Sequence, residues 1–354
     1  MKVDVVFRWD LDKTYLVSHF ESLRELIRIP FESGSDKRAV PGVISLIRAL
    51  RERSEGRGQR TSVYFLSASP PQIGGAIREK LDLDGIIYDG ITFKHQMRHL
   101  IRARFDIVRE QIGYKLDRLL AGAAESRPGT QELLFGDDWE SDPFIYSLYA
   151  DVLAGRVTRR RLLGLLERAG VHKTFVQSID ERVESFQHDR PDVRVVGIHI
   201  LRQRPAAARD LNAFGPRLIW FDNYFECALA LYARGWLDPR DVVAVALQIG
   251  LGPEELARGF NTVVERGTVD REWLAAVAGV LARSRQMSRV RKGNPLKRGI
   301  GAARRALGYP PAPAKPVGFV PDYDVLVDRW SRAGRKEAGS DEEETDGGPD
   351  DRDD

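Results

Sequence analysis

Cysteine is nearly absent from this chain of 354 residues, where Cys227 stands alone. No disulfide can close within the chain and no cluster of thiolates can hold a metal, so the sequence fits a reducing compartment. Long apolar runs are missing as well. The stretch from Trp273 to Ala282 is among the longest, and it falls short of the roughly 20 residues that a membrane-spanning helix needs. Met1-Lys2-Val3-Asp4, with Arg8, Asp10 and Asp12 close behind, leaves no apolar core for a signal peptide. An excess of one charge is lacking too. The 55 Lys and Arg against 52 Asp and Glu give a formal net charge of +3, which alone does not point to nucleic acid. The six histidines show no ligand spacing; His95 and His99 stand four apart without a third partner. The expectation is a cytoplasmic protein, at most peripheral to a membrane.

What is present reads as a globular α/β chain, 42% hydrophobic and 30% charged. Apolar runs predict strands at 2–9, 61–66, 85–88, 132–135, 193–201 and 217–221, with helical spacing between them. Helices are expected at 18–29, after Pro41-Gly42, at 72–81, at 96–121 with Gly113 as an interruption, and from Pro143 to about 188. Strands alternating with helices predict a doubly wound, mostly parallel sheet. Asp222 or Asn223 is placed to cap a helix through Leu231, while Asp238-Pro239, Pro253 and Thr268 mark three further helix starts. The expected organisation is a domain over 1–235, a helical appendage over 236–284, and a linker and tail over 285–354. From Arg285 to Arg305 there are eight Lys or Arg and no acidic residue. Pro310 to Pro316 reads as extended, and 322–330 as a short docking helix. The acidic stretch from Gly339 has almost no apolar residues and is expected to be disordered.

The most informative stretch is Asp10-Leu11-Asp12-Lys13-Thr14, directly after the first apolar run. Two carboxylates at the carboxyl end of a strand stand where open α/β sheets bind ligands. Carboxylates this close repel unless a cation lies between them, which suggests a divalent metal, aspartyl chemistry, or both. An isolated pair of this kind would simply form a turn. Three further elements give it meaning: Ser67 after Val63-Tyr64-Phe65-Leu66, Lys115 in a helical run, and Gly136-Asp137-Asp138-Trp139-Glu140-Ser141-Asp142 after another strand. Phosphoryl transfer to a carboxylate uses these residue types. A hydroxyl and an ammonium hold the phosphoryl oxygens, further carboxylates bind magnesium, and a second carboxylic acid serves the leaving oxygen. Ser69 competes with Ser67, and Lys94 with Lys115. Asp142 is as well placed to cap the helix at Pro143 as to join a metal shell.

The strings WDLDKT (9–14), FLSASP (65–70), GYKLDRLL (113–120) and FGDDWESDPFIYSLYADVLAGR (135–156) resemble the haloacid dehalogenase superfamily of phosphatases. Within it, they are most similar to the conserved domain of the fungal actin-patch phosphatidate phosphatase and its bacterial relatives. NYFECALALY (223–232) extends the likeness to about residue 235. The resemblance implies a Rossmann-like fold and a magnesium-dependent phosphomonoesterase. It implies that Asp10 is the nucleophile and a metal ligand, and that Asp12 is the general acid/base with its carbonyl on the metal. Thr14 would stabilise that turn, Ser67 and Lys115 would bind phosphoryl oxygens, and Asp137 would ligate magnesium. Asp138 and Asp142 would support the metal shell or orient Lys115, the match at Asp138 being looser.

Little chain is left for a large cap between the first and second elements, which favours a phosphate carried on a bulky body, phosphatidate or a related lipid phosphate. A phosphoprotein, a soluble ester and a non-catalytic scaffold are the alternatives. Residues 285–305 are a candidate contact with anionic lipid, against a plain solvated linker. No nucleic acid is expected, because aromatics are not interleaved with the basic residues. Trp220, Phe221, Tyr224 and Phe225 read as core, and Cys227 as packing.

Overall fold

The structure, a computed structural model, describes residues 4–17, 37–94, 104–139, 141–203, 211–283 and 319–328. The helix expected at 18–29, the basic stretch 285–305, the Pro-rich segment and the acidic tail lie outside the described residues.

The first strand, β1 (Asp4–Asp10), is followed by helix α1 (Val43–Gly56), β2 (Arg60–Leu66), helix α2 (Gly74–Leu83) and the short β3 (Gly90–Thr92). Helix α3 (Arg104–Glu125) leads into β4 (Thr130–Asp137), then α4 (Asp142–Leu153), α5 (Arg159–Arg168) and α6 (Lys173–His188). Next come β5 (Val193–Leu201), β6 (Leu218–Phe221) and α7 (Tyr224–Ala233). Three helices end the run: α8 (Pro239–Ile249), α9 (Pro253–Glu265) and α10 (Arg271–Arg283). The six strands form one sheet in the order β3-β2-β1-β4-β5-β6, and every pairing is parallel. Strand order reverses direction between β1 and β4, and it is at such a switch point that crevices open beyond the carboxyl ends of the strands.

Side-chain alternation along β1 assigns its two faces. Phe7 and Trp9 join a core with α1, α7, α8, α9 and α10. Arg8 points the other way, into a buried group in which Glu132 accepts from its guanidinium at 2.6 Å and from the Tyr149 hydroxyl at 2.7 Å. Asp10 falls on that second face, beneath α3 and α4. The helices expected as an appendage over 236–284 share the first core with the sheet. Helix α7 is apolar on nearly every side, as a buried helix must be, and its one carboxylate, Glu226, is paired with Arg266 at 2.8 Å. Its Asn223 cap accepts from the Phe225 and Glu226 amides at 3.1 Å each.

Two expectations change. The short strand lies at 90–92 rather than 85–88. Asp89 ties to Val63 through both its backbone amide and its carboxylate, so pairing begins only after it. Ile87, apolar enough to read as strand, is 67% exposed. Gly113 does not interrupt α3. A Cβ there would stand 2.7 Å from Val171 and 2.8 Å from Phe175, so the glycine serves the close approach of α6 and its preceding loop. The first strand ends at Asp10. The chain turns at once, with the Tyr15 and Leu16 amides donating to the Leu11 carbonyl, so Asp10 and Asp12 do not share a strand face.

Candidate metal and active site

Asp10 ends β1 and Asp137 ends β4, side by side at the switch point, and Asp142 opens α4 five residues later. One carboxylate oxygen from each comes within 4.8 Å of the others, and all three residues are buried. At that spacing, ionised pairs repel by about 3–4 kcal/mol each at an effective dielectric near 20. Lys115, fully buried on α3, offsets part of this by donating to Asp10 Oδ1 and Asp142 Oδ1, both at 2.6 Å. Three carboxylates and one ammonium leave two negative charges, a match for a divalent cation, and hard carboxylate oxygens suit magnesium. The donor set therefore fits the ion that the sequence implies.

Gly136 makes the closeness possible, because a Cβ there would lie 2.4 Å from Asp142 Oδ2. The Asp137 amide donates to that same oxygen at 3.4 Å. Asp137 itself accepts from the Thr14 hydroxyl at 3.3 Å and from the Trp139 amide at 2.7 Å. Asp142 is the first residue of α4 rather than its cap, so its carboxylate faces the site instead of closing the helix end.

The remaining residues expected at the site divide. Asp12 Oδ2 accepts from both Ser67 (3.0 Å) and Ser69 (2.8 Å), and Ser67 Oγ accepts from the Ser69 amide at 3.0 Å. Both hydroxyls thus hold Asp12. Asp138 turns toward the loop after β5, where its Oδ1 accepts from the Gln203 amide at 2.7 Å. Lys94 pairs with Glu110 at 2.5 Å and does not join the cluster.

Several contributors carried no signal in the sequence. The Tyr224 hydroxyl donates to the Thr14 carbonyl at 2.7 Å. Burial first, then Cys227, Asp137 and Asp10, push that phenol far above its ordinary pKa, so it stays a neutral donor. Burial and then Asp142 do the same to Tyr146, with Lys115 opposing, and its hydroxyl donates to the Phe135 carbonyl at 3.3 Å. The Gln203 side chain donates to the Lys13 carbonyl. Tyr224 had read as core, and it is both: the residue after a helix cap is easily seen as packing and gives no hint of a bond 210 residues back.

No family model, curated protein or solved structure matches the chain. The six-stranded parallel sheet with a buried aspartate cluster at the first strand is compatible with a haloacid dehalogenase-like arrangement.

Proposed function

We propose that this protein is a magnesium-dependent phosphomonoesterase working through an aspartyl-phosphate on Asp10, with phosphatidate or a related lipid phosphate as the favoured substrate. The observation that carries the reading is the convergence of Asp10, Asp137, Asp142 and Lys115, from three parts of the chain, on one buried point at the sheet's switch point.

Asp10, Asp137 and Asp142 are the residues to hold magnesium. When bound, the ion offsets repulsion between an anionic nucleophile and an anionic phosphate. An Asp10 oxygen attacks phosphorus and the ester P–O bond breaks. The leaving oxygen takes a proton from Asp12, giving the free alcohol and phospho-Asp10. Asp12, now ionised, takes a proton from water, whose oxygen attacks phosphorus. The bond to Asp10 breaks and inorganic phosphate leaves. Ser67 and Ser69 orient Asp12, and Lys115 neutralises charge on the transferring oxygens.

Support for a bulky, lipid-borne phosphate comes from what surrounds the site. Among the described residues between Asp10 and Lys115, all belong to the sheet, its crossover helices or short turns, and none forms a separate domain over Asp10. No described helix is long and apolar enough to cross a membrane, so a lipid phosphate would be met at the bilayer surface. The test is phosphate release from phosphatidate micelles and from soluble esters, with and without magnesium. Expected are magnesium-dependent release, a preference for the lipid, and loss of activity by roughly a thousandfold or more in Asp10→Asn. Release from soluble esters alone would move the substrate to the alternatives, and no release from any ester would favour a scaffold.

A further inference from the structure

Lys13 is, among the described residues, the one non-glycine with a left-handed backbone, at φ 61°. Glycine would hold that conformation without strain. The lysine brings a side chain whose ammonium sits 3.8 Å from the centre of the Trp139 indole. Both partners are anchored. The Lys13 carbonyl accepts from Gln203, and the Trp139 amide donates to Asp137. Both are also only partly buried, whereas Lys115 is wholly buried. The pair thus bridges the turn that carries Asp12 and the loop that carries Asp137, at the outer side of the carboxylate cluster.

We propose that Lys13 and Trp139 form a leaving-group subsite for phosphomonoesters carrying a second anionic group near the scissile phosphate. The inference rests on the phosphatase reading and narrows it. Lys115 serves the transferring phosphoryl group from within. Lys13 shares its turn with Asp12, the acid that serves the leaving oxygen, and its ammonium rests on Trp139 of the loop that carries Asp137, which makes the leaving group the part of the substrate assigned to it. A floor of aspartates repels any further anion, and a cation fixed at the rim by an indole face is what admits one. Among lipid phosphates, those with a second phosphate on the headgroup are then preferred over phosphatidate, whose leaving group is uncharged.

Glycerol 3-phosphate and 3-phosphoglycerate share a carbon skeleton and differ in one carboxylate, which makes them matched probes for the full-length protein in saturating magnesium. The wild type is expected to favour 3-phosphoglycerate by about tenfold in kcat/KM, and Lys13→Met to bring the ratio near one. Trp139→Leu shifts the ratio the same way by less. Lys13→Gly relieves the backbone, so it raises Tm while collapsing the ratio; a purely structural lysine would lower Tm and leave the ratio alone. Equal rates in the wild type, or an unchanged ratio in Lys13→Met, overturns the inference while leaving the phosphatase reading intact. If neither ester turns over, calorimetric binding of the two compounds decides. A preference for 3-phosphoglycerate that disappears in Lys13→Met supports the subsite, and equal or absent binding overturns it.

Discussion

His199 is the residue whose chemistry fits its surroundings least. It is fully buried on β5, and its ring stacks on Phe135 at 4.7 Å, which in turn stacks on Trp9 at 3.8 Å. Neither ring nitrogen has a well-aligned hydrogen bond. Burial, then the charge of Arg234, push its pKa down to about 3, with the Leu134 backbone acting the other way. The folded protein therefore keeps this imidazole neutral, while the unfolded chain takes up a proton near pH 6.5. A depressed folded pKa means that stability is fully present above pH 6.5 and is lost as pH falls toward 3. Between pH 7 and pH 5 this one residue should cost the wild type about 2 kcal/mol. Urea unfolding of His199→Leu at the two pH values should show a correspondingly smaller loss, whatever its stability at pH 7; an unchanged loss would exclude the assignment. Sequence alone could not flag His199, since it reads as one histidine within an apolar strand. Asp10, Lys115 and Asp137 were legible because their types recur in short local strings. The contacts of Gln203 with Lys13 were not, because they join loops 190 residues apart.

At the scale of elements, glycine spacing decides how close the site's carriers come. Gly136 sits on β4 against the first turn of α4, and a methyl there would collide with Asp142 Oδ2 at 2.4 Å and with Tyr146 at 2.8 Å. Neither neighbour can yield, because Asp142 is held by Lys115 and both residues are wholly or almost wholly buried. Gly136→Ala should push α4 off the strand, costing about 1–3 kcal/mol as overpacked cores do. It should also part Asp142 from Asp10 and Asp137. The expected signature is a magnesium-induced rise in Tm that the wild type shows and the variant lacks; an equal rise in both would mean that Asp142 is not needed for the ion. Strands with apolar runs and helices with capping residues were readable because their signals are local. The position of β3 was not, because Gly85-Ile86-Ile87-Tyr88 has strand-like composition and only the ties of Asp89 to Val63 set where pairing starts. Gly113 shows the same limit: composition reads it as a break, and only the neighbouring Val171 and Phe175 reveal it as a contact.

Across the whole molecule, the end of the described chain returns to complete the core. Helix α4 is buried along its entire length, which one face of a sheet cannot achieve alone. Residues 319–328 supply part of the missing cover. Tyr323 is fully buried, packs edge-on against Phe144 at 5.7 Å and donates to Asp151 Oδ2 at 2.5 Å, while Val327 is also buried. Asp324 meanwhile pairs with Arg161 at 3.1 Å and with Arg168. Two forces are therefore candidates for holding the segment, and their magnitudes separate them. Exposed ion pairs contribute about 0–1 kcal/mol and weaken with salt. A buried aromatic removed to alanine costs about 3–5 kcal/mol, and the lost hydroxyl strands part of a buried carboxylate. Tyr323→Ala should thus lower unfolding free energy by several kcal/mol and Asp324→Ala by less than about 1. In 0.5 M salt the screening length falls from about 8 Å to about 4 Å, which weakens exposed ion pairs and leaves buried packing unaffected, so the Tyr323→Ala loss should persist while the Asp324→Ala loss shrinks. If the two variants cost the same, or if salt erases the Tyr323→Ala effect, charge rather than burial fastens this segment to α4 and α5.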